Sequence, residues 1–259
     1  MLPILQIGPL ALQTPGLILL LGVWTGLWLS ERHAHRHNLE ASNLYNLVLV
    51  GILFGVIGGR LFFIIRYPEA FIANPASMLS INLSLFDLPG AVLSGLLAAL
   101  VYGGRKKLPF WQTLDALTPG LAVFAIAVAL ANLASGNGFG APTQAPWAIE
   151  LWGAHRHPSQ VYESLAAGSI LGYLLIVQRS KRTRSPGYDF LVFIALSAGS
   201  RLFLDAFRGD SQLLANGFRA SQVIAWLVLA ASLWLIPRRA RAASAPAKDK
   251  LQADLPEAG

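Results

Sequence analysis

His157-Pro158-Ser159-Gln160-Val161-Tyr162-Glu163 is a run of seven residues, five of them able to hydrogen-bond or ionise, at the head of an apolar segment that lasts to Val177. An apolar stretch of about 20 residues crosses the hydrocarbon of a bilayer as a helix. A histidine, an amide, a phenol and a carboxylate at the mouth of such a helix are costly unless they are paired or functional. This run therefore marks the chain as a membrane protein and its own surroundings as the first place to look for chemistry.

Composition points the same way. Of 259 residues, 54% are hydrophobic and 13% charged, against about a quarter charged in soluble domains; the mean hydropathy is +0.53. The expected fold class is an all-α polytopic membrane protein. Cysteine is absent, which excludes structural disulfides, thiolate metal sites and a cysteine nucleophile in the chain itself. Any sulfur chemistry would use a partner's thiol. The net charge of +7 is placed as a membrane protein places it, so no nucleic-acid partner is expected.

Seven spans are expected, at about residues 15–30, 44–65, 89–102, 111–134, 158–177, 188–207 and 220–236. The fourth reads as interrupted at Pro119-Gly120. Residues 1–14 hold no charge and read as an external amphiphilic segment, because a secretory signal would begin with a positive region. Residues 1–236 form the membrane domain, and the Ala-, Pro- and Lys-rich remainder, 237–259, reads as a disordered cytoplasmic tail. Gly51, Gly55 and Gly59 recur every four residues in the second span, one small-residue face for a close neighbouring helix.

Lysine and arginine gather on the cytoplasmic side. Fourteen of the twenty follow the odd-numbered spans, which places the N-terminus outside and the C-terminus in the cytoplasm. The run Arg32-His33-Ala34-His35-Arg36-His37 fits a metal tract less well than a solvated cap on that cytoplasmic face; no metal and no cofactor are expected. The other six arginines are Arg60, Arg66, Arg156, Arg201, Arg208 and Arg219, on or near the outer side. Arg60 and Arg201 fall about six residues before an external exit, roughly 9 Å inside at 1.5 Å per residue. Asn132 and His157 share that depth.

An arginine inside a span usually faces a polar interior and a partner. Arg201 and Asp205, four apart on a helix, could simply pair, as could Arg201 and Glu163. Guanidinium groups also fork onto phosphate oxygens, so several at one depth suit an anionic phospholipid headgroup.

The series Gly58-Gly59-Arg60, Asn132 with Gly136 and Gly140, His157-Pro158-Ser159-Gln160 with Tyr162-Glu163, and Arg201 and Asp205 with Phe207-Arg208 resembles the prolipoprotein diacylglyceryl transferase family. The resemblance runs from about residue 7 to 236. It implies an enzyme of the bacterial plasma (inner) membrane that moves the diacylglyceryl group of phosphatidylglycerol onto the lipobox cysteine of a prolipoprotein signal peptide, releasing glycerol phosphate. It implies His157, Arg201, Asp205 and Asn132 as catalytic residues. Arg60, Gly59, Gly140, Gln160, Tyr162, Glu163 and Arg208 are implied for substrate binding. Asn132 and Gln160 are amides that do not titrate, and so read as positioners.

Departures fall on reactive positions. Where the family has His-Gly-Gly, this chain has Leu88-Pro89-Gly90; Ala129 and Asn137 stand where it has arginine and glutamate, and Pro15 where it has tyrosine. His157, with an ordinary pKa of about 6.5, is then the best remaining proton carrier. The other readings are a non-catalytic homologue that binds anionic phospholipid or a lipobox peptide, and a transferase with a different acceptor.

Overall fold

In hydrocarbon every backbone N–H and C=O must be satisfied within the protein, so long apolar runs become helices. The computed structural model describes residues 4–7, 10–72, 86–179, 184–211 and 217–253. Its helices are α1 (Thr14–Ala34), α2 (Ala41–Arg66), α3 (Pro68–Ile72), α4 (Leu88–Arg105), α5 (Phe110–Ser135), α6 (Ser159–Gln178), α7 (Tyr188–Leu204) and α8 (Ala220–Ala253). Among the described residues, six helices are long and apolar enough to cross a membrane: α2, α4, α5, α6, α7 with the turn that follows it, and α8 as far as Arg241. They coincide with the second to seventh expected spans. Helix α1, the first expected span, has 21 residues but is not one of the six; its last turns bring in Glu31 and Arg32.

The all-α expectation holds, with two short additions outside the helices. Two antiparallel hairpins are present, β1 (Ile4–Ile7) with β2 (Leu10–Gln13), and β3 (Ile149–Leu151) with β4 (Ala154–Arg156). The first occupies part of the expected amphiphilic segment, of which residues 1–3 and 8–9 lie outside the described residues. The second folds up part of the long α5–α6 connection. Lys181 and Arg182, two of the charges used for orientation, also lie outside the described residues.

The chain forms two compact units, Met1–His33 with Leu114–Gly259, and Ala34–Thr113. In the second unit α2 packs on α4 through the expected glycine face. A Cβ on Gly59 would stand 2.8 Å from Ala91 Cβ and 3.2 Å from the Asp87 carbonyl oxygen, so no larger residue fits without displacing α4. The Asp87 N–H donates to the Gly59 carbonyl at 3.0 Å. Asp87 also caps α4, its Oδ2 accepting from the Gly90 N–H at 2.7 Å. With this cap α4 reaches 18 residues, longer at both ends than the sequence suggested.

In the first unit α5 is continuous through Pro119-Gly120, against the expected interruption. Proline removes one helical hydrogen bond, the one that would reach the Asp115 carbonyl, and the neighbouring turns carry extra side-chain bonds. The Thr118 hydroxyl donates to the Leu114 carbonyl at 2.8 Å and Ser30 to the Leu117 carbonyl at 3.5 Å. Ala122, Ile170, Leu174 and Phe193 join α5, α6 and α7 in a core, and α8 packs along α7. Helix α8 is assigned as far as Ala253, past Ile236. The histidine cap is also less solvated than expected: His33 is buried, with Nδ1 2.7 Å from the Leu29 carbonyl oxygen, and Arg32 stacks on Trp28 at 3.8 Å. Among the described residues no group of three histidines and carboxylates could hold a metal ion.

Candidate active site

The α5–α6 connection is organised by its backbone. Trp152 and Gly153, both at positive φ (55° and 70°), turn the β3–β4 hairpin, the conformation of a two-residue type I′ turn. Further in, the Ala141 N–H donates to the Phe207 carbonyl at 2.8 Å, and the Gly209 N–H to the Phe139 carbonyl at 2.9 Å. On the other side the His157 N–H donates to the Ala141 carbonyl at 3.0 Å. The strip 139–141 thus lies between the start of α6 and the turn after α7. Gly140 is required there, because a Cβ would collide with the His157 carbonyl. Its absence lets His157 and Arg208 be drawn to one place.

Ser159 and Gln160 lock the same loop. The Ser159 hydroxyl donates to the Gly138 carbonyl at 2.6 Å, and fully buried Gln160 donates through Nε2 to the Asn137 carbonyl at 2.9 Å. The imidazole of His157 meets Phe207 edge-on at 5.2 Å, and its Nδ1 is 3.3 Å from the Tyr162 hydroxyl. Trp147 donates its indole N–H to that hydroxyl at 2.6 Å. An indole nitrogen only donates, so the phenol oxygen accepts from Trp147 and its own proton is free for Nδ1. A neutral His157 then carries its proton on Nε2, an assignment made from the hydrogen-bond network.

One residue along, Glu163 Oε1 accepts from Arg208 Nη1 at 2.7 Å and from Arg201 Nη1 at 3.4 Å. Arg208 also forks onto Asp210, Nε to Oδ1 at 2.9 Å and Nη2 to Oδ2 at 2.7 Å. Burial works against the Arg208 charge, but Asp210 and Glu163 outweigh it and raise its pKa above the ordinary arginine value. Arg201 Nε stands 3.1 Å from Asp205 Oδ1. By distance this is an ion pair, yet neither carboxylate oxygen of Asp205 has a hydrogen-bonding partner of good geometry, although the residue is 0% exposed. The Arg201 side chain remains 41% exposed. Asn132 completes the cluster: its Nδ2 and the Arg208 Nη2 both lie 3.6 Å from the place where a side chain on Gly138 would begin.

Nine of the eleven expected site residues therefore converge in the first unit: Asn132, Gly140, His157, Gln160, Tyr162, Glu163, Arg201, Asp205 and Arg208. Gly59 and Arg60 lie on α2 in the second unit. There Arg60 is buried, its guanidinium carbon 5.4 Å from the Phe71 ring and 5.7 Å from the Phe86 ring. Trp147 and Asp210 are the members that sequence reasoning missed. Asp210 had a signal, its spacing of two from Arg208; Trp147 had none, being joined to Tyr162 only by the folded loop. Of the departures, Ala129 is buried on α5, about one turn before Asn132, while Leu88 is exposed in the second unit.

Membrane-spanning helices that end on a cluster of arginines, carboxylates and a histidine define a polytopic membrane protein with a polar site at one end of its bundle. The family model described as prolipoprotein diacylglyceryl transferase matches residues 3–238, and the chain belongs to that family. Curated relatives named phosphatidylglycerol–prolipoprotein diacylglyceryl transferase include one from Bordetella parapertussis, 29% identical over 249 residues, covering 91% of this chain and 94% of the relative. Another, from Thermosynechococcus vestitus, is 27% identical over 241 residues, 89% of each. A third, from Symbiobacterium thermophilum, is 26% identical over 245 residues, 90% of each.

Proposed function

We propose that this chain transfers the diacylglyceryl group of phosphatidylglycerol to the lipobox cysteine thiol of a prolipoprotein, at the outer leaflet of the bacterial inner membrane. The observation that carries the reading is the gathering of Arg201 and Arg208 around the single Glu163 oxygen, one residue from the Tyr162–His157 pair. In the reaction the cysteine sulfur forms a bond to the terminal glyceryl carbon and that carbon's bond to the phosphate oxygen breaks. The electron pair leaves with glycerol phosphate, and the thiol proton passes to His157.

Each residue has a task in that step. Arg201, the exposed arginine, exchanges part of its contact with Glu163 for the phosphate, stabilising charge as it develops on the leaving group. Arg208, fixed by Asp210, holds Glu163 in place. The Tyr162 hydroxyl can take a thiol proton while giving its own to His157 Nδ1, general-base catalysis through a relay. Asp205 orients Arg201, Asn132 lies beside the Arg208 guanidinium, and Gln160 and Gly140 hold the loop. From the second unit the same reading assigns Arg60, with Gly59 beside it, to binding the lipid substrate. Helix α1 serves as the seventh span over the domain 1–236, with the N-terminus outside and the C-terminus in the cytoplasm.

Purified protein supplied with phosphatidylglycerol and a lipobox peptide should yield the thioether peptide and one glycerol phosphate per peptide modified. Lipid binding with no product, where another family member turns over, would overturn the transfer reading in favour of a binding role.

A further inference from the structure

Arg156 closes β4, directly before His157, and four short strands meet around it. On one side β3 pairs with β4. On the other, the Thr143 N–H donates to the His155 carbonyl at 2.9 Å and the His157 N–H to the Ala141 carbonyl at 3.0 Å. The strip 139–143 then pairs with the turn after α7, through Ala141 to Phe207 and Gly209 to Phe139. Antiparallel bridges from Pro142 to Arg156 and from Gly140 to Arg208 mark the two seams. The result is one small sheet at the end of the helices, with His157 on one seam of the strip and Arg208 on the other.

The Arg156 side chain ties this sheet together. Its Nε donates to the Leu151 carbonyl of β3 at 3.1 Å, and its Nη1 to the Gly140 carbonyl of the strip at 3.3 Å. The guanidinium carbon lies 4.9 Å from the centre of the Phe139 ring. Among the described residues Arg156 makes no ion pair, whereas Arg201 and Arg208 share Glu163. Its charge is spent on backbone instead, where a charged donor makes a shorter and stronger bond than a neutral one. A guanidinium is planar, with its donors in a fixed fork, so one rigid group sets the separation of two carbonyls on different strands. The Gly140 carbonyl is closely packed on its far side: a Cβ on Gly209 would stand 2.7 Å from its oxygen. Displacing that carbonyl therefore disturbs both seams, and with them His157 and Arg208.

We infer that Arg156 is a positioning residue of the transfer site: its fork on the Leu151 and Gly140 carbonyls places the strip that brings the His157 imidazole and the Arg208–Glu163 pair to one spot. It acts through backbone and is given no contact with the reacting groups. Its effect on rate rests on the transfer reading; its effect on the His157–Tyr162 pair rests on geometry alone.

Two readouts test it, in protein matched for folded material by unfolding curves. Arg156→Gln retains at most one of the two bonds. With phosphatidylglycerol and a lipobox peptide its kcat should fall about 10- to 10²-fold, the scale on which a displacement of roughly 1 Å is felt, while KM for the lipid changes less than about twofold. Nitrogen-15 spectra of histidine-labelled protein, with His157 assigned by the signal lost in His157→Gln, should show its Nδ1 moved toward the position of a ring that lacks the Tyr162 partner. Arg156→Lys keeps the charge without the planar fork; it should lie between the two on both measures, and it carries the test if Arg156→Gln does not fold. An unchanged kcat, a change in KM alone, an unmoved Nδ1 in a folded variant, or Arg156→Lys indistinguishable from the wild type would overturn the inference. If the wild type yields no thioether, the transfer reading falls by itself, and the Nδ1 signal still decides whether Arg156 positions His157.

Discussion

The two ends of α7 carry charge in opposite ways. At its start, the carboxylate of Asp115 accepts from the backbone N–H groups of Gly187 and Phe190 at 2.6 and 2.9 Å. Asp189 accepts from Arg184 and Gln178, both at 3.0 Å. Every carboxylate there is met by a donor of good geometry, half of them from backbone that cannot move away. At its far end, one oxygen of Glu163 serves two arginines, Asp205 is buried with neither oxygen hydrogen-bonded, and Arg201 is partly open. A buried polar group left short of partners is expensive. The first end is an anchor that fixes where α7 begins; the second is under-satisfied, and it is the end where the family's motifs collect.

That contrast makes distinct demands on mutants. Arg208→Ala should do the most damage, since it strips partners from Glu163 and Asp210 together and so releases the carboxylate that holds Arg201; initial transfer rates should fall about 10³-fold, the upper end for losing a preorganised charge-stabilising donor. Asp115→Ala should act at the anchor instead. Leaving two buried N–H groups unmet should lower stability by about 2 to 3 kcal/mol, measured by denaturant or thermal unfolding in detergent, with the rate per folded molecule little changed. If Asp115→Ala abolished turnover without affecting stability, the division of labour along α7 would be wrong.

Smaller effects test the details. Tyr162→Phe removes the hydroxyl between Trp147 and His157, and should reduce the rate about tenfold while leaving the fold intact, the low side of general acid–base contributions. The same substitution should change the His157 tautomer seen in nitrogen-15 spectra of histidine-labelled protein. Arg66→Ala breaks an ion pair at 3.2 Å whose arginine is 64% exposed. Exposed pairs contribute little, so unfolding should move by less than about 1 kcal/mol.

Much of this was legible in the sequence because the signals are local. The spans read from apolar runs, a close helix neighbour for α2 from glycines four apart, and the cluster from polar residues within apolar segments. What sequence left out depends on contacts across the chain. Helix α5 reads as broken at Pro119, yet it runs on, and one of its contacts, Ser30 to the Leu117 carbonyl, comes from 87 positions earlier. The cap that lengthens α4 comes from Asp87, outside the apolar run. Trp147 reaches Tyr162 only when the β3–β4 connection is folded. Gln160 reads as a hydrogen-bonding positioner from its motif, and the fold supplies its partner, the Asn137 carbonyl.

The most direct test concerns Arg201, the partly open arginine of the under-satisfied end. Purified wild type and Arg201→Ala, matched for folded protein by their unfolding curves, are compared by mass spectrometry of a lipobox peptide incubated with phosphatidylglycerol. A thioether product from the wild type that falls at least about 10²-fold in the variant is the predicted result. Equal product from both proteins would contradict the assignment of the reaction to this end of α7.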